Sequence, residues 1–523
     1  MTFDPAPGDG HATTSPVASG PDAAWQRLDG RMIAVDATRL AGSLLPLALA
    51  VVLRNTDASG VRSTLTTLAL IGATSAIVDL LRWTTTSYRI TDARVEVRTG
   101  LLTRRHRSMP RDRIRRVDAT AKLLHRVFGL SVVALATGDR KGSADDVIKL
   151  DAVTTGDAVA LRQRLLGAPE PGAFDEIGVA GEAGEGRVLA ALNWRWAPYD
   201  VLSFWTLAIP AVVLGAALQT LNSIGVTVDE VARDDRVADT VRDVSPLTGI
   251  VLATGAVAVV GIVGALGLFV ETWWDFRLVR DPHRRLRMHR GLLTARTLSL
   301  DEGRLRGVEL VEPLLLRAAG GARLHAVTTG LAGAEASRGE RADALMPPSP
   351  TADTQRVAAA VLDLPVSPTA DAVLRRHPTA ALRRRVTRAV AAGALAWAAL
   401  AVVHVASDGV AAAALAAPAA VTAGAGAYAL DTYRNLGHAV SGRYLVVRRG
   451  SLARRTVALQ RTGVIGWNVR RTVFQRRLGL ATLEATTAAG RGSYKLSDVD
   501  TGDGLRFASE TVPGALAPFL ADG

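Results

Sequence analysis

The chain has 523 residues, of which 48% are hydrophobic and 21% charged, and its mean hydropathy is +0.19. That balance disfavours an ordinary water-soluble enzyme. Cysteine is absent, which excludes disulfides, thiolate metal sites, iron–sulfur clusters and cysteine nucleophiles. The 62 basic and 49 acidic residues leave a net charge of +13, and the basic residues are almost all arginine in an alanine-rich chain, so the charge reads as compositional bias rather than a nucleic-acid signature.

In chain order, residues 1–30 are polar and rich in Pro, Gly and Ser, which predicts a disordered cytoplasmic tail. Six windows are long and apolar enough to suggest membrane helices: 35–53, 63–82, 199–221, 247–270, 387–406 and 409–430. They fall into hairpins at 31–84, 193–273 and 367–432. The loop at 222–246 is acidic, whereas Arg375, Arg376, Arg383, Arg384, Arg385 and Arg388 precede the fifth window. The positive-inside rule then predicts a multi-pass protein of the inner (plasma) membrane, with both termini and the long basic segments cytoplasmic.

Each hairpin is followed by a related segment. Tyr88-Arg-Ile-Thr leads to Gly100-Leu-Leu-Thr-Arg-Arg105. Arg287-Met-His-Arg leads to Gly291-Leu-Leu-Thr-Ala-Arg296. Tyr444-Leu-Val-Val-Arg-Arg leads to Gly450-Ser-Leu-Ala-Arg-Arg455. Every copy therefore has a strand, a glycine and an arginine five residues later. A second glycine follows in each, at Gly129, Gly320 and Gly479. Tyr88, Ile90, Val95 and Val97 alternate with charged residues, which is a strand period with a turn at Thr91-Asp92. Helical stretches close the copies at 155–166, 352–364 and 504–520.

With these motifs the chain resembles the bacterial pleckstrin-homology-like (bPH2, formerly DUF304) membrane proteins, in particular the YdbT-like group. The resemblance rests on Tyr88-Arg-Ile-Thr, Gly100, Arg126-Val-Phe-Gly129-Leu, Thr137-Gly138 and Ile148-Lys-Leu-Asp151. It implies an α+β membrane protein: six transmembrane helices in three hairpins, each followed by a PH-like β-sandwich or split barrel with a C-terminal capping helix. The units would be 85–168, 274–366 and 433–523, with a linker at 169–192; the middle unit diverges most. The family implies no catalytic residues.

No metal-ligand spacing, phosphate loop or nucleophile elbow occurs in the sequence, so the expectation is a non-enzyme with no cofactor and no metal. The richest charge cluster is Arg104, Arg105, Arg107, Arg111, Arg113, Arg115 and Arg116, a candidate lipid surface because arginine grips phosphate and each such charge contributes about 1 kcal/mol near anionic lipid. Gly100, Gly129, Gly291, Gly320, Gly450 and Gly479 are the turns that define the repeat. The expected function is a non-catalytic membrane scaffold whose PH-like domains bind a protein partner, each other or the lipid surface, and not nucleic acid. The alternative weighed is a transporter or export accessory subunit.

Overall fold

The computed structural model describes residues 25–27, 29–52, 59–91, 93–99, 105–110, 116–121, 123–136, 147–154, 186–202, 205–223, 245–329, 343–406 and 412–513. Of the three capping helices expected, the first, at 155–166, lies outside these residues; the others form as Thr351–Leu362 and Thr501–Thr511.

Alternation of apolar and polar residues builds a small antiparallel meander after each helix pair. The first unit holds β1 (Gln26–Arg27), β2 (Ser87–Ile90), β3 (Arg94–Thr99) and β4 (Arg105–Pro110) in that spatial order. Val95 and Val97 turn inward from β3, as their spacing requires. A second meander follows with β5 (Arg116–Ala121), β6 (Leu130–Ala136) and β7 (Val147–Thr154). The middle unit comprises β8 (Arg187–Ala191), β9 (Arg277–Asp281), β10 (Arg285–Arg290), β11 (Ala295–Asp301), β12 (Leu305–Pro313), β13 (Gly321–Thr328) and β14 (Ser349–Pro350). The last comprises β15 (Gly437–Ser441), β16 (Tyr444–Arg449), β17 (Ala453–Gln460), β18 (Val464–Arg470), β19 (Leu480–Thr487) and β20 (Ser493–Asp500). The divergent middle copy therefore keeps the pattern, although its final strand is reduced to β14 and the bridge between His325 and Ala344. Strand β8 lies in the segment expected to be a linker; like β1, it precedes a helix pair and pairs with the first strand after that pair.

The sheets do not stop at unit boundaries. The seven-stranded sheet runs β7-β6-β5-β11-β10-β9-β8, and the six-stranded sheet runs β14-β13-β12-β17-β16-β15. The cores follow the sheets. Tyr444, Val446 and Ala458 of the last unit are buried with Leu324, Val357 and Phe276 of the middle one, and Val327 is buried among Leu445, Val457 and Tyr494. The first core gathers Tyr88, Val95, Leu130 and Leu150 around Met32 and Val35. Each fully buried Leu, Val or Phe contributes roughly 1.5–3 kcal/mol, so a core shared between units also couples them.

The expectation of six transmembrane helices in three hairpins is corrected. The long helices Arg31–Val52, Ser59–Thr85, Trp205–Ser223, Pro246–Trp273, Thr379–Ala406 and Ala416–Arg434 pack two by two. Among the described residues, only Leu247–Trp273 (mean hydropathy 2.4) and Thr379–Ala406 (2.0) are long and apolar enough to cross a membrane. The physical reasons for the overcount are local. The first helix spends Met32 and Val35 on the first core, with Asp36 buried beside them. The second carries Arg62, Asp79 and Arg82; the last is rich in Ala and Gly over only 19 residues and ends on Asp431 and Arg434. Among the described residues the fold is α+β with four sheets, two helices apolar enough to cross a membrane and further helices.

Candidate functional site

Three of the seven clustered arginines lie among the described residues. Arg104, Arg111, Arg113 and Arg115 lie outside the described residues. Arg105 and Arg107 sit on β4, opposite Thr99 and Val97 in the four-stranded sheet. Arg116 opens β5, opposite Ala136 in the seven-stranded sheet. Arg105 and Arg107 therefore belong to one sheet and Arg116 to the other.

Gly100 also lies outside the described residues. The other turn glycines occupy two equivalent places. Gly129, Gly320 and Gly479 end the short helices Leu123–Val127, Leu314–Ala318 and Val473–Arg477, with φ of 67°, 71° and 67°. Gly291 and Gly450 turn the hairpins β10–β11 and β16–β17 with φ of 111° and 101°, where a Cβ would overlap the carbonyl oxygen of Thr294 or Ala453.

These glycines locate the most developed interaction surfaces, the joins between units. In one, β5 pairs antiparallel with β11, Ala121 opposite Ala295 and Asp118 opposite Leu298. In the other, β12 pairs with β17, Glu312 opposite Arg454 and Glu309 opposite Val457. Counted from the glycines, the two registers coincide. The short helix beside each join supplies a further tie. Arg126 donates to the Leu292 carbonyl at 2.7 Å, and Arg317, its repeat equivalent, donates to Asp431 at 3.0 Å. Asp431 also accepts from the Ser451 hydroxyl at 2.7 Å, and the Leu314 amide donates to the Leu452 carbonyl at 2.8 Å.

The second join is strongly ionic. Arg454 grips Glu312 through two contacts of 2.5 and 2.7 Å, and Glu309 receives Arg455 at 2.9 Å and Arg491 at 3.2 Å. Both carboxylates are nearly inaccessible, with side chains 3% and 4% exposed. The hydrogen bond to Glu312 raises the Arg454 pKa above its ordinary value, whereas burial lowers that of Arg449. Charges so desolvated are costly unless paired.

A buried polar node ties the helix Thr379–Ala406 to the last unit. Asp498, at a left-handed position on β20, accepts from Arg384 and from Gln475 at 2.9 Å and forms an ion pair with Arg385 at 2.9 Å. His377 Nδ1 lies 3.1 Å from the Asp498 carbonyl, and His438 Nδ1 lies 3.3 Å from His377 Nε2. The His438 ring packs edge-on against Phe507 at 4.7 Å. Burial, with the charges of His377 and Arg375, lowers the His438 pKa to about 4; burial also lowers that of His377. Sequence spacing gave no signal for this node, whose members lie 61 and 121 residues apart. Among the described residues no group of three or more His, Asp or Glu is arranged to hold a metal ion.

Paired strands and turn glycines recur at both joins as a repeated joining device. Neither the curated proteins nor the solved structures compared with the chain give a match. The bacterial PH domain family matches twice, at residues 43–168 and 390–510, which takes in most of the first and last units and part of the helix pair of each. The match is to the domain and does not reach the narrower YdbT-like group. With the repeated meanders, the turn glycines and the closing helices, it identifies this chain as one that carries bacterial PH domains.

Proposed function

We propose that the chain is a non-catalytic, membrane-associated scaffold whose PH-like units bind a protein partner, each other or the lipid surface on the cytoplasmic side. The observation that carries this reading is the continuity of the sheets across the unit boundaries, which makes the units one platform rather than beads on a string. Two apolar helices support the membrane part. Only 12% and 6% of their most apolar stretches are buried, and leaving so much hydrocarbon exposed favours a lipid surrounding. Arg383, Arg384, Arg385 and Arg388 at the start of Thr379–Ala406 support the cytoplasmic placement.

The test uses the full chain, because cutting out residues 85–168 would cleave the sheet between β5 and β11. After an alkaline carbonate wash, the protein stays with the membrane pellet; release into the supernatant contradicts the membrane assignment. Flotation with anionic vesicles then tests the lipid part: replacing Arg105, Arg107 and Arg116 by Ser weakens it, and unchanged flotation removes the arginines from that role.

A further inference from the structure

The units join by setting one strand position against another, and a strand of each kind remains outermost. Both internal joins place the residue eight before the short-helix glycine opposite the residue four after the hairpin glycine. In the last unit the counterpart of β5 and β12 is β18, the outer strand of the sheet β18-β19-β20. Its surroundings are those of a joining face. Ile465, Val469 and Phe474 are 68%, 39% and 70% exposed, and Arg470, Arg471 and Arg476 are exposed with them. Arg476 occupies the repeat position of Arg126 and Arg317, the two arginines that bind the following unit.

Charge selects the occupant. Strand β5 carries Asp118, and β12 carries Glu309 and Glu312. Strand β18 carries no acid and ends on Arg470. The outer third strand of the first unit, β4, carries Arg105 and Arg107 and also no acid. Setting β4 of a second copy on β18 in the register of the internal joins brings Arg470 opposite Arg105 and Asn468 opposite Arg107. Like charges directly across two strands destabilise the pairing, whereas carboxylates at those places would gain charge-assisted hydrogen bonds from the arginine. We propose that the β18 edge is the docking site for an acidic β-strand of another polypeptide, added in the register of the internal joins, and that like charge keeps copies of this chain off it. The inference rests on reading the chain as a binding array and names the site and chemistry of its protein partner.

The absence of cysteine makes a clean test possible, because in this register Val469 lies opposite His106. Full chains carrying V469C are mixed in detergent with differently tagged full chains carrying H106C, under mild oxidation. The H106C chain bears either native Arg105 or R105E, the latter standing in for the acidic strand. The R105E partner gives roughly fivefold more of the disulfide-linked pair. In a second arm the exposed arginines are changed instead, as R470E and R471E in the V469C chain; native H106C chains then show the same gain, even if R105E fails to fold. A cysteine moved to Asn468, on the opposite face of the strand, loses the link. Equal yields with and without the charge changes overturn the proposal, as does a link missing from both arms or one that survives the move to Asn468. Failure here leaves membrane retention and vesicle flotation untouched, so this inference and the scaffold reading fall separately.

Discussion

The two joins share one register and differ in chemistry. Between the first and middle units, β5 meets β11 through Ala121 opposite Ala295 and Thr120 opposite Arg296. Between the middle and last units, β12 meets β17 through Glu312 opposite Arg454, with Glu309 held by Arg455 and Arg491. A register common to an almost neutral join and an ionic one is set by the strand period and the apolar cores, not by the ion pairs. The ion pairs add discrimination: once the strands are paired, an acid or a base at the same place decides which edge is accepted. The open β18 edge extends the comparison to a third case, with the register positions kept and the acids absent.

The comparison is broken most forcefully at Glu312. Replacing it with Arg sets a second buried guanidinium against Arg454; a loss of about 3–5 kcal/mol is expected, read as a fall in the denaturant midpoint of the full chain together with new protease cleavage between the last two units. A midpoint within experimental error of wild type would show that the ionic join does not hold these units.

The polar node provides a pH test. In the unfolded chain both imidazoles titrate near 6.5, whereas in the fold His438 is held at about 4 and His377 is lowered. Between these values the unfolded state binds protons that the folded state does not, so stability is complete above pH 6.5 and declines as the pH falls toward 4, by on the order of 3 kcal/mol for His438. Urea titrations across that range measure the slope, and His438→Phe, which keeps the packing on Phe507, flattens it. A slope unchanged by this substitution places the titrating group elsewhere.

A smaller effect sharpens the contrast between the joins. Glu309→Gln keeps the shape of the side chain but leaves Arg455 and Arg491 without their carboxylate, at a cost of about 1–3 kcal/mol. The smallest effect is expected at the nearly neutral join, where Arg126→Ala removes one hydrogen bond to the Leu292 carbonyl and costs about 1 kcal/mol, seen as faster amide exchange confined to β5 and β11. If Arg126→Ala were the more damaging of the two, the ranking of the joins would be reversed.

The contrast also shows what the sequence makes legible. The repeat could be read because glycine alone suits its turns, and because Val95 and Val97 alternate with polar neighbours. The arginine five residues after each hairpin glycine was visible as well, and Arg455 shows its use at a join. Its partner Glu309 was not legible as such, being 146 residues away on a strand of another unit. Hydropathy located the long helices but could not tell apolar side chains spent on a core, such as Met32 and Val35, from side chains left for lipid. The arginine run shows a related limit of the sequence. From Arg104 to Arg116 the residues are near one another in sequence, but spacing alone does not say that Arg105 and Arg116 enter different sheets.

The central claim is that strands of different units pair to make one continuous array. Amide hydrogen exchange of the full chain in detergent tests it most directly. The account predicts that the amides of β12 and β17 that face each other exchange as slowly as those shared by β16 and β17, while the outward amides of β18 exchange quickly. If the facing amides of β12 and β17 exchange as fast as those of β18, the units are separate and the account is wrong.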